Sequence, residues 1–154
     1  AVQVVLGQAQ VAVTPGTVER VRLVPAAPPA CPESVAAIRS ADWVVLGPGS
    51  WFTSVMTHLL VPEVREALEV TRARRLLILN LETFAELAPN LHLDVVLADP
   101  AVVDDPEQLE AACARLGATL FVAPVGRRDR AGEHDPLRFA AAVRDIVTTP
   151  RPAR

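Results

Sequence analysis

The sequence predicts an α/β fold in which a doubly wound, mostly parallel sheet carries helices on both of its faces. Two observations support this prediction. Short apolar segments alternate with helix-forming segments along most of the 154 residues, a pattern typical of strand–helix–strand units. One of these segments, 76–79, is apolar throughout, as expected for a strand that is covered on both faces. A chain of this length builds one hydrophobic core, so we expect residues 1–154 to form a single domain.

The first half of the chain is predicted to contain three strands and three helices. β-Branched residues cluster or alternate in the first two strand segments, which a Thr-Pro-Gly turn joins. Pro32 and Glu33 are typical of a first helical turn, because that turn tolerates a missing N–H and its positive dipole end favours an acid. The predicted strands are Gln8–Val13, 18–24 and Trp43–Leu46, and the predicted helices are 33–40, 53–60 and 62–71.

The second half continues the alternation of strands and helices. Gly117 is well suited to end a helix as its C-terminal cap. A polar loop, 126–135, separates the last strand from the last helix, and the proline- and arginine-rich tail is predicted to fray. The predicted strands are 76–79, 93–98 and 118–122, and the predicted helices are 83–88, 106–116 and 136–147.

Composition excludes several classes of function. A net charge of −3 gives no reason to expect nucleic acid or an anionic membrane as a partner. We find neither an apolar run of membrane-spanning length nor a signal peptide, and therefore expect a cytoplasmic protein. The two cysteines, Cys31 and Cys113, are expected to be incidental free thiols. All basic residues are arginines, which excludes a Walker-type phosphate loop and Schiff-base chemistry, since both need a lysine.

The most informative segment is the turn that follows the strand Trp43–Leu46. It reads Gly47, Pro48, Gly49 and Ser50, and it lies where an open α/β sheet holds an anionic ligand, at the carboxyl end of a strand. The glycines bring bare N–H groups close to a ligand, and the proline stiffens the loop. We therefore predict a phosphate or diphosphate site here, against the alternative of a turn needed only for packing.

Other residues near the same sheet edge have two interpretations each. Thr53 and Ser54 either donate hydroxyls to the phosphates or cap the following helix. Asn80 either bonds a sugar hydroxyl or a base, or bonds its own loop. Trp51 and Phe52 either stack on the ligand or, as we favour, belong to the core or an interface.

The polar loop offers cations for the same ligand. Arg127 and Arg128 either face a diphosphate or belong to a solvated charged loop. His134 and Asp135 are either an acid–base pair or, more in keeping with the position before Pro136, a helix cap.

The acidic residues are more typical of helix caps than of metal ligands. Asp99, Asp104 and Asp105 either bind magnesium or cap, and capping is favoured because the last two precede Pro106. We expect no resident metal site. Magnesium is expected only in a complex with a nucleotide ligand.

These motifs together resemble the YvcK-type gluconeogenesis-factor proteins, a bacterial branch of the CofD-like superfamily. The specific part of the resemblance is the Gly-Pro-Gly-Ser-Trp-Phe-Thr-Ser string that ends at Ser54. The segments that carry the resemblance are 7–12, 20–23, 32–54, 58–62, Asn80, 95–99 and 134–136. The resemblance implies a Rossmann-like fold and a protein that binds a uridine-diphosphate sugar such as UDP-N-acetylglucosamine. It also implies a link to carbon metabolism, cell shape and cell-wall precursor supply.

The chain departs from this family pattern in two places. The glycine-rich strand–turn segment with which family members begin has no counterpart, and only Glu82 and Thr83 match the family's Gly-Glu-Thr loop. The abrupt join near 81/82 indicates a missing loop, against the alternative of a genuine short connection of the kind that α/β units contain. We thus expect an incomplete domain that lacks part of the ligand site.

Three functions are compatible with the sequence. The favoured function is a non-catalytic nucleotide-sugar sensor that controls a protein partner. The alternative is a phospholactate-type transferase that uses a nucleotide-activated substrate. In the third, the chain is a structural piece whose partners matter more than any ligand, and the apolar stretch 51–60 offers a surface for a homo-oligomer.

Overall fold

The computed structural model describes residues 3–15, 17–79, 91–130 and 133–150. These residues contain four strands and six helices, together with a π-helical turn, Trp51–Val55, and a 3-10 turn, Pro100–Val102. The strands are β1 (Trp43–Leu46), β2 (Arg74–Ile78), β3 (Val95–Ala98) and β4 (Thr119–Val122). The helices are α1 (Gln8–Val13), α2 (Pro32–Ser40), α3 (Met56–Leu59), α4 (Pro62–Val70), α5 (Pro106–Arg115) and α6 (Pro136–Thr148).

The four strands form one parallel sheet in the order β1-β2-β3-β4. Leu76 of β2 is in register with Val45 on one side and with Val95 on the other. Because parallel neighbours in chain order are joined by right-handed crossovers, α4 and α5 lie on the same face of the sheet. All four carboxyl ends meet at one edge, which is where loops of α/β proteins bind ligands.

Alternate residues of the strands supply two hydrophobic cores, one on each face. Leu77 and Val96 point into the core beneath α4 and α5, whereas Leu76, Ile78 and Leu97 point into the core beneath α6. These five side chains are almost fully buried. The α/β fold with a parallel sheet and helices on both faces is therefore confirmed.

Local chemistry explains where several helices begin and end. Pro32, Pro62, Pro106 and Pro136 each stand in a first helical turn, as predicted. Gly117 has φ of 71° just beyond α5 and acts as the predicted C-terminal cap. Both cysteines are free, and Cys113 is buried in the core beneath α5.

The predictions were wrong for the two segments at the start of the chain. Gln8–Val13 is a helix, not a strand, and 18–24 forms no strand. A β-branched pattern stabilises a strand only where a neighbour offers backbone hydrogen bonds, and no strand lies beside these segments within the described part of the chain. Instead, the Gln8 side chain donates a 3.0 Å hydrogen bond from Nε2 to the carbonyl of Thr53.

Other boundaries differ by small amounts. The helix predicted at 53–60 begins earlier, at Trp51, and opens with the π-helical turn before α3. The predicted helix 83–88, Asn80 and the join near 81/82 lie outside the described residues.

Candidate functional site

The glycine turn crosses the carboxyl end of the neighbouring strand. Gly47 directly follows β1, has φ of 90°, and is joined to Pro48 by a cis peptide bond. A Cβ atom at Gly47 would stand 2.9 Å from the carbonyl oxygen of Ile78, the last residue of β2. The absence of a side chain therefore lets the turn lie against the end of β2.

A second close approach fixes the turn against the helix that follows. A Cβ atom at Gly49 would stand 2.6 Å from Cβ of Ser54 and 2.9 Å from its Oγ. The carbonyl of Ser50 accepts hydrogen bonds from the backbone N–H groups of Ser54 (2.8 Å) and Val55 (3.3 Å). The turn thus continues directly into nine consecutive helical residues, 51–59.

The first backbone N–H groups of this helical segment have no hydrogen-bond acceptor within the helix, as in every helix. Thr53 and Ser54 lie within the first turn, and the position before the helix belongs to Ser50. The arrangement of bare N–H groups with hydroxyl side chains in one turn suits a negatively charged ligand. Contact of these hydroxyls with a ligand stays a prediction.

Asp99 connects the end of β3 to the arginine loop, 126–135. Its Oδ2 accepts a hydrogen bond from the backbone N–H of Gly126, and its Oδ1 accepts one from Ala101 at 2.8 Å. A Cβ atom at Gly126 would stand only 3.1 Å from Oδ2, so glycine permits this approach. Sequence reasoning missed the connection, because nothing in the sequence pairs residues that are 27 positions apart.

The arginine loop is closed at its base by backbone hydrogen bonds. Gly126 and His134 form an antiparallel bridge. The N–H of Arg127 donates to the carbonyl of Glu133, and the N–H of Asp135 donates to that of Val125, both at 2.8 Å. The loop is therefore a small, closed unit that stands at the carboxyl edge of the sheet.

The two predicted ligand-binding arginines have different surroundings. Arg127 donates from Nε and Nη2 to the two carboxylate oxygens of Asp129, at 3.0 and 2.8 Å. This pairing raises the pKa of Arg127 and lowers the pKa of Asp129. Arg128 is exposed, and its side chain makes neither an ion pair nor a hydrogen bond with the described residues. Arg128 is the less constrained of the two cations.

The glycine turn and the arginine loop reach neighbouring strands at the same edge. The turn touches the end of β2 through Ile78, and the loop touches the end of β3 through Asp99. Neighbouring strands are about 5 Å apart. The structure therefore places two of the predicted groups at the ends of neighbouring strands on one edge of the sheet, whereas the third, Asn80, lies outside the described residues.

The acidic residues near this edge are occupied as helix caps and turn acceptors. Asp135 accepts hydrogen bonds from Leu137 and Arg138 at the start of α6, and Asp105 accepts one from Gln108 at the start of α5. Capping, the favoured interpretation, is confirmed for both residues. Among the described residues, no three His, Cys, Asp or Glu side chains are grouped as metal ligands.

His134, which precedes the cap of α6, is half-buried, and both nitrogens of its imidazole are inaccessible to solvent. Neither ring nitrogen has a hydrogen-bond partner among the described residues, and the ring lies 5.3 Å from that of Phe139. Its surroundings are therefore those of a packed aromatic ring beside α6. The geometry does not bring it into hydrogen-bond contact with Asp135, whose Oδ1 is engaged by the helix.

The comparisons with known proteins agree with the fold. Residues 1–104, which include β1 to β3 and the glycine turn, match the family model of 2-phospho-L-lactate transferase CofD. The chain belongs to the CofD family. A protein of Mycobacterium tuberculosis (strain H37Rv), described as a "Putative gluconeogenesis factor", is 41% identical over 92% of this chain and 46% of its own length. A Mycobacterium leprae protein with the same description is 39% identical over 92% of this chain and 44% of its own length.

A solved structure extends the similarity to three dimensions. A UPF0052-family protein from Bacillus halodurans has a TM-score of 0.68 and 25% sequence identity, over 90% of this chain and 54% of its own. The present chain thus spans about half the length of the relatives that it matches. None of the helices within the described residues has the length and apolar character needed to cross a membrane.

Proposed function

We propose that this chain supplies the diphosphate-binding edge of a regulatory protein that senses a nucleotide sugar of the UDP-N-acetylglucosamine type. The observation that carries the proposal is the glycine turn, which lies on the end of β2 and leads directly into a helix start. Such a turn presents backbone N–H groups to an anion without needing a lysine. The match to gluconeogenesis factors supports a link to carbon metabolism, and we extend it to cell-wall precursor supply and cell shape.

Each predicted residue has a distinct task in this proposal. Gly47 and Gly49 allow the close approach of backbone to phosphate, and Pro48 stiffens the turn between them. Ser50 and the hydroxyls that follow it donate to phosphate oxygens. The residues proposed to contact the ligand are Gly47, Pro48, Gly49, Ser50, Thr53, Ser54, Asn80, Arg127 and Arg128.

The proposal is tested by calorimetric titration of the full-length protein with UDP-N-acetylglucosamine, with UDP and GDP as controls. We expect saturable binding that needs the sugar. Ser50→Ala is expected to weaken the affinity about tenfold to a hundredfold, the value of one lost hydrogen bond to a charged group.

The matched control is Ser34→Ala, which removes an exposed hydroxyl from α2 outside the turn. We expect this variant to bind like the natural protein. Equal affinities of the Ser50 and Ser34 variants would remove Ser50 from the site, and absence of saturable binding in the natural protein would overturn the proposal itself.

A second candidate, a phospholactate-type transferase, is favoured by the family model that the chain matches. Here the turn and an arginine would stabilise charge on a transferred phosphate-containing group. Any magnesium ion in this reaction would be bound together with the nucleotide. Incubation of the full-length protein with a nucleotide sugar and magnesium separates the two functions, because a sensor leaves the nucleotide sugar intact.

Cytoplasmic location follows from the same proposal, since nucleotide sugars are intracellular metabolites. A homo-oligomer and a protein partner are the expected means of transmitting occupancy. Val55 and Leu59, within the stretch considered for an oligomer surface, belong to the core. An oligomer contact would therefore use the less buried residues of that stretch.

A further inference from the structure

One edge of the planar guanidinium group of Arg127 already donates to a carboxylate of its own loop. Asp129 accepts from Nε and Nη2 through its two separate oxygens, a bidentate arrangement. A second carboxylate, that of Glu133, stands 4.0 Å from Nε. The guanidinium is thus held between two acids that the same loop supplies.

The position of this pair bears on the ligand site. Arg127 directly follows Gly126, whose N–H donates to Asp99 at the end of β3. The glycine turn lies one strand away, at the end of β2. An anion that binds at the turn and extends along the sheet edge would therefore reach the arginine loop.

A carboxylate and a phosphate use the same donors of an arginine. Both accept two parallel N–H groups from the planar fork, so one guanidinium edge cannot serve both in this geometry at once. We propose that Asp129 is an internal competitor, which occupies the Nε–Nη2 edge of Arg127 until the diphosphate of a ligand displaces it. This inference rests on the proposed function and adds a regulatory contact to the same site.

Exposure makes the exchange feasible without unfolding. The side chain of Asp129 is 65% exposed and that of Arg127 is 35% exposed. A displaced carboxylate would therefore be solvated at once, and the guanidinium would stay at the edge of the sheet because the base of the loop is closed by backbone hydrogen bonds. The exchange involves hydrogen bonds alone, and no covalent bond changes.

The test is a calorimetric titration of the full-length protein with inorganic pyrophosphate and, separately, with UDP-N-acetylglucosamine. Asp129→Asn keeps the size of the side chain and removes its charge. We expect it to tighten binding about threefold to fivefold, which is the contribution of an exposed ion pair. Arg127→Ala is expected to weaken binding, and the double variant Asp129→Asn/Arg127→Ala is expected to lose the gain.

The control is an exposed arginine–aspartate ion pair on α6, in which a single aspartate oxygen, Oδ1, accepts both N–H groups. Asp145 accepts from Nε and Nη2 of Arg144 at 3.1 and 2.9 Å. Asp145→Asn removes the same charge from the protein and is expected to leave the affinity unchanged. Equal tightening by the two aspartate variants would mean that net charge alone acts, and would overturn the competitor role.

The outcomes also separate this inference from the proposed function. If the natural protein binds and Asp129→Asn binds equally or more weakly, Asp129 only supports the loop and the inference is wrong, while the nucleotide-sugar site stands. If the natural protein binds neither pyrophosphate nor the nucleotide sugar, the proposed function and the inference are both overturned.

Discussion

Two glycines with positive φ differ in what surrounds them. Gly47 has φ of 90° and would bring a Cβ atom 2.9 Å from a backbone carbonyl, whereas a Cβ atom at Gly117, with φ of 71°, would have its nearest neighbour at 3.9 Å. We expect Gly117→Ala to lower the free energy of unfolding by about 1 kcal/mol, the cost of the backbone conformation alone. Gly47→Ala is expected to cost about 3 kcal/mol because the backbone of β2 must also move.

Denaturant unfolding of both variants checks this comparison. Equal losses would mean that the turn has room to move away from β2, and the close approach at Ile78 would then carry no functional weight.

The charges of the arginine loop predict a pH effect at one residue. The pKa of Asp129 is lowered in the folded protein, first by its hydrogen bond with Arg127 and second by backbone hydrogen bonding. A lowered pKa means that the pair stabilises the loop above the ordinary pKa of an aspartate, and that this contribution is lost as pH falls through the lower, folded value. NMR titration of the Asp129 carboxyl carbon should therefore have a higher midpoint in Arg127→Ala than in the natural protein.

An unchanged midpoint in that variant would show that the backbone contacts alone lower the pKa. The competitor role of Asp129 would then lose the ion pair on which it depends.

At the scale of elements, the buried side chain of Arg75 caps the carboxyl end of α4. The hydrophobic pattern of the sequence does not predict this contact. Arg75 of β2 donates from Nε to the carbonyl of Leu68 at 2.7 Å and from Nη2 to that of Thr71 at 3.0 Å. These are carbonyls at the end of a helix that has no glycine cap. Arg75→Ala is expected to lower the free energy of unfolding by about 3 kcal/mol, because it leaves buried carbonyls without donors.

Arg65→Ala is the control, since that arginine is exposed on α4, and a change within about 0.5 kcal/mol is expected there. Denaturant midpoints give both values. If Arg75→Ala lowers the free energy of unfolding as little as Arg65→Ala does, water molecules replace the arginine as donors to these carbonyls.

Elements with a strong local signal were predicted to within two residues. Proline in the first helical turn and continuous apolar runs defined α2, α4, α5, α6 and the four strands of the sheet. The errors fell on Gln8–Val13 and 18–24, where β-branched residues suggested strands. Whether such a segment becomes a strand depends on a neighbouring strand, which local sequence does not specify.

At the scale of the whole molecule, the stability of the sheet depends on the strand side chains that fill the two cores, one on each of its faces. Leu77 is the fourth of the five residues of β2, and its side chain belongs to the core beneath α4 and α5. We expect Leu77→Ala to lower the free energy of unfolding by about 3 kcal/mol, through lost burial and a cavity.

Val122→Ala, on the half-exposed end of β4, is expected to cost less than about 1 kcal/mol. Thermal or denaturant unfolding measures both. Similar costs at the two positions would indicate that β2 is not at the centre of the fold.

Local sequence was enough to predict the fold class, the strand Trp43–Leu46 with its glycine turn, and the helix caps at Asp105 and Asp135. Each of these follows from contacts within a few residues or from a continuous apolar run, which local chemistry controls. The tertiary structure was needed to show that Asp99 holds Gly126, that Gly47 lies against Ile78, and that Arg127 is paired while Arg128 has no ion-pair or hydrogen-bond partner among the described residues. Those facts depend on which strands are neighbours and on how a loop folds over the sheet edge. No local pattern contains that information, because residues far apart in the chain meet only once the sheet has formed.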